Sequence, residues 1–101
     1  MPFRYDYEAT DQPIDTELTH EVEIGLTKVT YLLLVCVKTS SATNVHVEVA
    51  FNKPNWFPLK TETNVTEFSF VTQCNTRYVR LRVEPVSGAT CDYLICITAL
   101  S

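Results

Sequence analysis

A period-two alternation runs through most of this sequence, and it leaves few folds open. In Val45-His46-Val47-Glu48-Val49-Ala50-Phe51 each odd position is large and apolar, while the even positions carry His46, Glu48 and Ala50. Successive side chains of an extended chain point to opposite sides, so such a segment buries one face and wets the other. Leu18, Val22, Ile24 and Leu26 repeat the pattern against Thr19, Glu21, Glu23 and Thr27, with His20 in phase with the inward set. Val79, Leu81 and Val83 do the same against Tyr78, Arg80 and Arg82, and Phe68 and Phe70 share one face of Val65–Val71. The run from Val29 to Val37 is apolar on both faces and predicts a central strand.

Turn-forming clusters separate these segments: Ser40–Asn44, Asn52–Asn55, Gln73–Thr76 and Pro85–Ala89. They recur at roughly 8–12 residues, the spacing of a two-sheet antiparallel sandwich. A parallel architecture would need helical crossovers of about ten residues or more, and no segment has helical periodicity. The expectation is an all-β fold, a jelly-roll or immunoglobulin-like sandwich of seven to eight short strands. Pro58 makes Trp56–Lys60 an edge strand. With 101 residues there is room for one core.

The first seventeen residues read differently. Phe3, Tyr5 and Tyr7 alternate with Arg4, Asp6 and Glu8 ahead of a polar stretch interrupted by Pro13. They form either an arm (residues 1–17) that lays its aromatic face on a neighbouring subunit, or a cap on the open end of their own core. The arm reading leaves residues 18–101 as the sandwich domain.

Chemistry is hard to assemble from this inventory. Glycine occurs only at Gly25 and Gly88, which rules out a glycine-rich phosphate loop, and no nucleophile elbow is present. The cysteines Cys36, Cys74, Cys91 and Cys96 show no Cys-x-x-Cys spacing, and neither His20 nor His46 stands beside them in sequence. No catalytic residues, metal or cofactor are therefore expected. Cys36 and Cys96 read as small buried hydrophobes, and Cys74 and Cys91, at loop–strand junctions, are the candidate disulfide. Glu21 and Glu23 share a strand face, more simply a solvated one than a calcium site. A net charge of −4 speaks against phosphate-backbone binding, so no nucleic acid is expected. No apolar run approaches the ~20 residues of a membrane helix, and Met1–Tyr7 lacks the apolar core of a secretion signal.

Two surface readings remain. Arg80 and Arg82 project from one face beside Tyr78, where they can grip an acidic partner or pair across strands with Glu48; the pairing is the simpler account. Of Trp56 and Phe57 only one can face inward, and Trp56 is expected to pack against Phe68 and Phe70. The candidate exposed ligand face is then Phe57, Tyr78, Arg80 and Arg82.

The layout from Asn44-Val-His-Val-Glu-Val-Ala-Phe-Asn-Lys-Pro-Asn-Trp-Phe-Pro-Leu59 through Arg77-Tyr-Val-Arg-Leu-Arg-Val83 to the terminal strand resembles small sandwich modules of phage and viral structural proteins. The Arg77–Val83 strand is also similar to the penultimate strand of discoidin-like and carbohydrate-binding sandwiches, which are usually longer. The first resemblance, over about residues 29–101, implies a non-enzymatic capsid decoration (cement) protein or a tail-fibre module. Such a protein would be assembled in the host cytoplasm and located in the virion. It implies as partners other copies of the chain, in a homo-oligomer such as a trimer, and virion proteins such as the major capsid protein. Phe3, Tyr5 and Tyr7 would then be the subunit or capsid contacts. The alternative is a glycan-binding module of a tail or surface protein.

Overall fold

The computed structural model describes residues 4–24 and 30–100. Six strands follow one another: β1 (Arg4–Pro13), β2 (Leu18–Glu23), β3 (Thr30–Ala50), β4 (Phe57–Cys74), β5 (Tyr78–Val83) and β6 (Thr90–Leu100). All pairings are antiparallel. The architecture is the expected all-β sandwich.

Two strands are far longer than expected, and they make the fold. The first half of β3 pairs with β6, from Thr30↔Leu100 to Thr39↔Cys91. Its second half pairs with β5, from Val45↔Val83 to Ala50↔Tyr78. β4 runs alongside both halves. One curled sheet thus supplies two layers, β1-β6-β3-β4 and β2-β5-β3-β4. The turn expected at Ser40–Asn44 is instead the bend where β3 passes between layers. Register slips there, between Lys38 and Thr43 and again between Thr43 and Val45, and Asn64 on β4 takes a positive φ of 57°. Bulges of this kind bend a strand without ending it.

Between the layers lie Tyr31, Leu33, Val35 and Val37 of β3, Ile95 and Ile97 of β6, and from the second layer Val22, Val47, Val79 and Leu81. These are the inward positions of the alternation. Ile14, between β1 and β2, is fully buried, and its backbone bonds to Ala89 and Val86 of the β5–β6 loop.

The amino-terminal segment is not an arm. β1 is an edge strand of the first layer, paired with β6 from Arg4↔Thr98 to Pro13↔Thr90, so the described residues of the expected arm, from Arg4 on, do not separate from the sandwich. Tyr5 and Tyr7 turn inward onto His20 and Tyr93, capping their own core. Phe3 lies outside the described residues. The candidate disulfide is also overturned: Cys74 and Cys91 are free thiols. Cys74 pairs with Tyr31 and Cys91 with Thr39, eight positions along β3, which at ~3.3 Å per residue is about 26 Å. Cys91 is buried, and burial pushes its thiol pKa up to about 11. Cys36 and Cys96, expected inside, are half-buried on the outer side of the first layer.

Candidate functional site

The outer face of the second layer carries the densest polar constellation among the described residues. β5 places Tyr78, Arg80 and Arg82 outward because Val79, Leu81 and Val83 fill the core. β3 brings Glu48 opposite Arg80 and His46 opposite Arg82, and β2 brings Glu21 opposite Arg80 from the other side. The expected cross-strand pairing is present. Glu48 Oε1 receives Arg80 Nε at 2.9 Å and Arg82 Nε at 3.3 Å, and Arg82 also reaches Glu17 at 3.0 Å. Burial raises the Glu48 pKa, but hydrogen bonds from Arg82 and Arg80, with their charges, outweigh it and hold the carboxyl below its ordinary range. Farther along, His46 Nε2 contacts Glu84, whose carboxyl that bond and the weaker one from Asn44 keep lowered.

Trp56, expected in the core, is instead on this face. The Arg80 guanidinium lies 4.2 Å from the centroid of its ring, and Tyr78 meets it edge-on at 6.4 Å. Lys53 and Arg77 both approach the Tyr78 ring, at 4.9 and 5.4 Å. Phe57, expected beside Tyr78, Arg80 and Arg82, does not join them. It is exposed but stands opposite inward-facing Val49 in the register, on the other side of β4 from the platform. Alternation correctly separates Trp56 from Phe57 and leaves Phe57 exposed as expected, but it puts Trp56 in the core when it lies on the platform. The arginine pattern holds the clue, since a guanidinium row beside a half-exposed indole favours a cation–π stack.

Each lysine and arginine described on this face has a carboxylate partner: Lys53 with Glu21, Arg77 with Glu23, Arg80 and Arg82 with Glu48. The platform is therefore polar and nearly neutral, an array of guanidinium donors and carboxylate acceptors beside two aromatic rings. Among the described residues no three His, Cys, Asp or Glu side chains converge as a metal site would.

The outer face of the first layer is the opposite in character. Its outward residues are Leu32, Leu34 and Cys36 of β3, Leu94 and Cys96 of β6 and Val71 of β4, which is 63% exposed. A shallow groove of about 260 Å³ opens at one end of it, between Glu8, Cys36, Lys38, Asp92 and Leu94.

No family model and no curated protein matches the chain. Solved structures do share its fold. The Yersinia pseudotuberculosis-derived mitogen superposes with a TM-score of 0.58 at 13% identity, over 95% of this chain and 86% of that one. A CBM4 carbohydrate-binding module superposes with a TM-score of 0.50 at 13% identity, over 94% of this chain and 71% of that one. At that identity the likeness is one of fold.

Proposed function

We propose that the protein is a non-catalytic binding module whose ligand face is the platform of Trp56, Tyr78, Arg80, Arg82 and Glu48, and that its ligand is a neutral glycan. The observation that carries the reading is the combination of a half-exposed indole and phenol with cations that are all internally paired. A free arginine would favour carboxylate or phosphate ligands, but Arg80 and Arg82 already hold Glu48. Sugar hydroxyls donate and accept, so they suit a surface offering residual N–H groups and carboxylate lone pairs side by side. Sugar C–H faces suit the aromatic rings. The CBM4 fold neighbour is compatible with this reading, since that protein is a carbohydrate-binding module on a similar sandwich.

The test uses the only tryptophan of the chain as reporter. Neutral oligosaccharides are titrated to ~10 mM, enough to see a dissociation constant near 1 mM, while tryptophan fluorescence and the amide shifts of residues 78–82 are followed. Saturable shifts that vanish in Trp56→Ala support the reading. Unmoved signals across glucans, mannans and galactans, or shifts only with acidic sugars, overturn it.

A second reading, the capsid decoration protein, draws support from one observation: the apolar outer face of the first layer. Exposed apolar surface rimmed by charge marks protein contact sites. In that reading the face, rather than Tyr5 and Tyr7, would lie against a capsid protein. Co-sedimentation with particles, abolished by Leu94→Lys, tests it; particles that bind both forms equally count against it.

A further inference from the structure

Sheet edges present rows of unpaired N–H and C=O groups that recruit other strands, and proteins guard them with charge, proline, bulges or brevity. Among the described residues, three of the four free edges are guarded in that way. β1 carries Arg4, Asp6 and Glu8 on its outer side, a bulge between Ala9 and Gln12, a positive φ at Asp11 and Pro13. β2 has six residues, with Glu21 and Glu23 outward. The first half of β4 holds Pro58, Lys60 and Glu62, and its register slips between Val47 and Glu48 of its partner. The second half of β4 has none of these devices. From Glu67↔Lys38 to Cys74↔Tyr31 the register runs unbroken through Phe68, Ser69, Phe70, Val71, Thr72 and Gln73. Glu67 is the sole charge, and it stands opposite Lys38. Among the described residues this strand pairs with β3 alone.

We propose that this edge, Glu67–Gln73, is an antiparallel pairing site for the same edge of a second copy of the chain, giving a twofold dimer with a continuous sheet across the interface. The occupant is set by self-complementarity. An antiparallel edge satisfies its own copy's donors and acceptors, and a contact of identical patches closes after two subunits. Centring the pairing on Phe70 sets Phe70 against its counterpart on the core side, Ser69 against Val71 on the outer side and Glu67 against Gln73. No like charges then meet. On the outer side exposed Val71 of each copy gains cover, and the apolar faces around Leu32 and Leu34 become one surface. The guarded edges stop growth beyond two. A cyclic trimer would instead need two different patches. This inference is independent of what the platform binds.

Light scattering of the full chain over ~1 μM to 1 mM, the range in which weak protein association is populated, should show the mass rising to that of two chains. Val71→Lys should weaken the dimer at least tenfold, because it brings two lysines close to the twofold axis. Thr10→Lys, on the guarded β1 edge, should leave it unchanged. Amide exchange on the unaltered chain gives a readout free of any folding effect of the variants: amides of Ser69–Gln73 that face away from β3 should gain protection as concentration rises. A single-chain mass throughout with those amides unprotected, a three-chain mass, or a dimer indifferent to Val71→Lys overturns the proposal. Protection that appears only when an extended peptide is added also overturns it, and would mark the edge as a peptide site.

Discussion

The two outer faces of the sandwich are built largely on the same strand, yet they share almost no chemistry. Along the first half of β3 the outward residues are Leu32, Leu34 and Cys36, with Lys38 at the end of the row; along the second half they are His46 and Glu48. The inward residues do not change in kind, with Tyr31, Leu33, Val35 and Val37 giving way to Val45 and Val47. The core therefore constrains only one parity of the strand. The free parity is apolar where the layer is bordered by β6 and charged where it is bordered by β5. What holds the charged face is pairwise and local; what the apolar face offers is unspent burial.

That difference is sharpest at Glu48. Its carboxylate is the shared acceptor of Arg80 and Arg82, all three of them mostly shielded from solvent. Removing one partner of such a set strands the others, which costs 3–5 kcal/mol when fully buried and about 2–3 kcal/mol at this partial burial. Glu48→Ala should lower the unfolding free energy by that amount in denaturant titration. An equivalent truncation on the apolar face, Leu34→Ala, should cost about 1 kcal/mol or less, scaled to the half-buried area removed. Equal losses at the two positions would break the comparison.

Acid should separate the faces as well. The folded-state pKa values of Glu48 and Glu84 are depressed, through Arg82 and Arg80 for the one and through His46 for the other. Their stabilisation is complete above the ordinary carboxylate range near 4.3 and is lost as pH falls from there through the lowered folded values. His20 acts at higher pH. Burial lowers its pKa, so the unfolded chain binds the proton more readily and stability declines as pH falls below about 6.5. Thermal melts from pH 8 to 3 should show a shallow early decline and a steeper late one. Glu48→Gln should flatten only the late phase. A late phase unchanged in that variant would mean that the arginine network does not couple to folding.

Trp56 contributes less. Its stack beneath Arg80 is partly solvated, and cation–π contacts at such sites run about 0.5–2 kcal/mol. Trp56→Ala should cost about 1 kcal/mol while leaving the fold intact by circular dichroism. Placing Trp56 in the core would demand the 3–5 kcal/mol of a buried tryptophan truncation, so the size of the loss discriminates directly.

Trp56 also shows where sequence reasoning runs out. Alternation correctly gives the inward sets of β5 and of the second half of β3, and with them the outward trio Tyr78, Arg80 and Arg82 and their pairing to Glu48; where Val29–Val37 is apolar on both faces it gives no phase, and Cys36 and Cys96, expected inside, lie on the outer side. Alternation depends on knowing where a strand begins, and the Asn52–Asn55 turn hides the phase of the strand after it. Trp56 is therefore assigned to the core, and Phe57, exposed as expected, is assigned to a platform it does not join. Ser40–Asn44 misleads for a related reason. Its residues favour turns, but a bulged bend between two layers uses the same polar, small side chains while the backbone ladder continues. Two strands thus read as four. The role of Tyr5 and Tyr7 is legible only as a choice, because an aromatic row says that a surface is needed and not whose surface it is.

The smallest effect bears on the apolar face. Val71 is mostly exposed, so its side chain has little burial to lose within one chain, and Val71→Thr keeps its β-branched shape. Dilute, monomeric protein should unfold within about 0.5 kcal/mol of the parent, as surface substitutions do. On the charged face a change of similar size, Thr19→Val opposite Arg82, should be as quiet, because neither Val71 nor Thr19 carries a charge to strand. The faces should then part as concentration rises. An apolar position held for contact with another chain shows its energy only when that chain is present, so the stability difference between Val71→Thr and its parent should grow with protein concentration, while that of Thr19→Val stays constant. Unfolding curves at two concentrations about a hundredfold apart suffice. If both differences stay flat, the apolar face adds nothing beyond what a solvated sheet surface would, and the contrast between the two faces is one of composition alone.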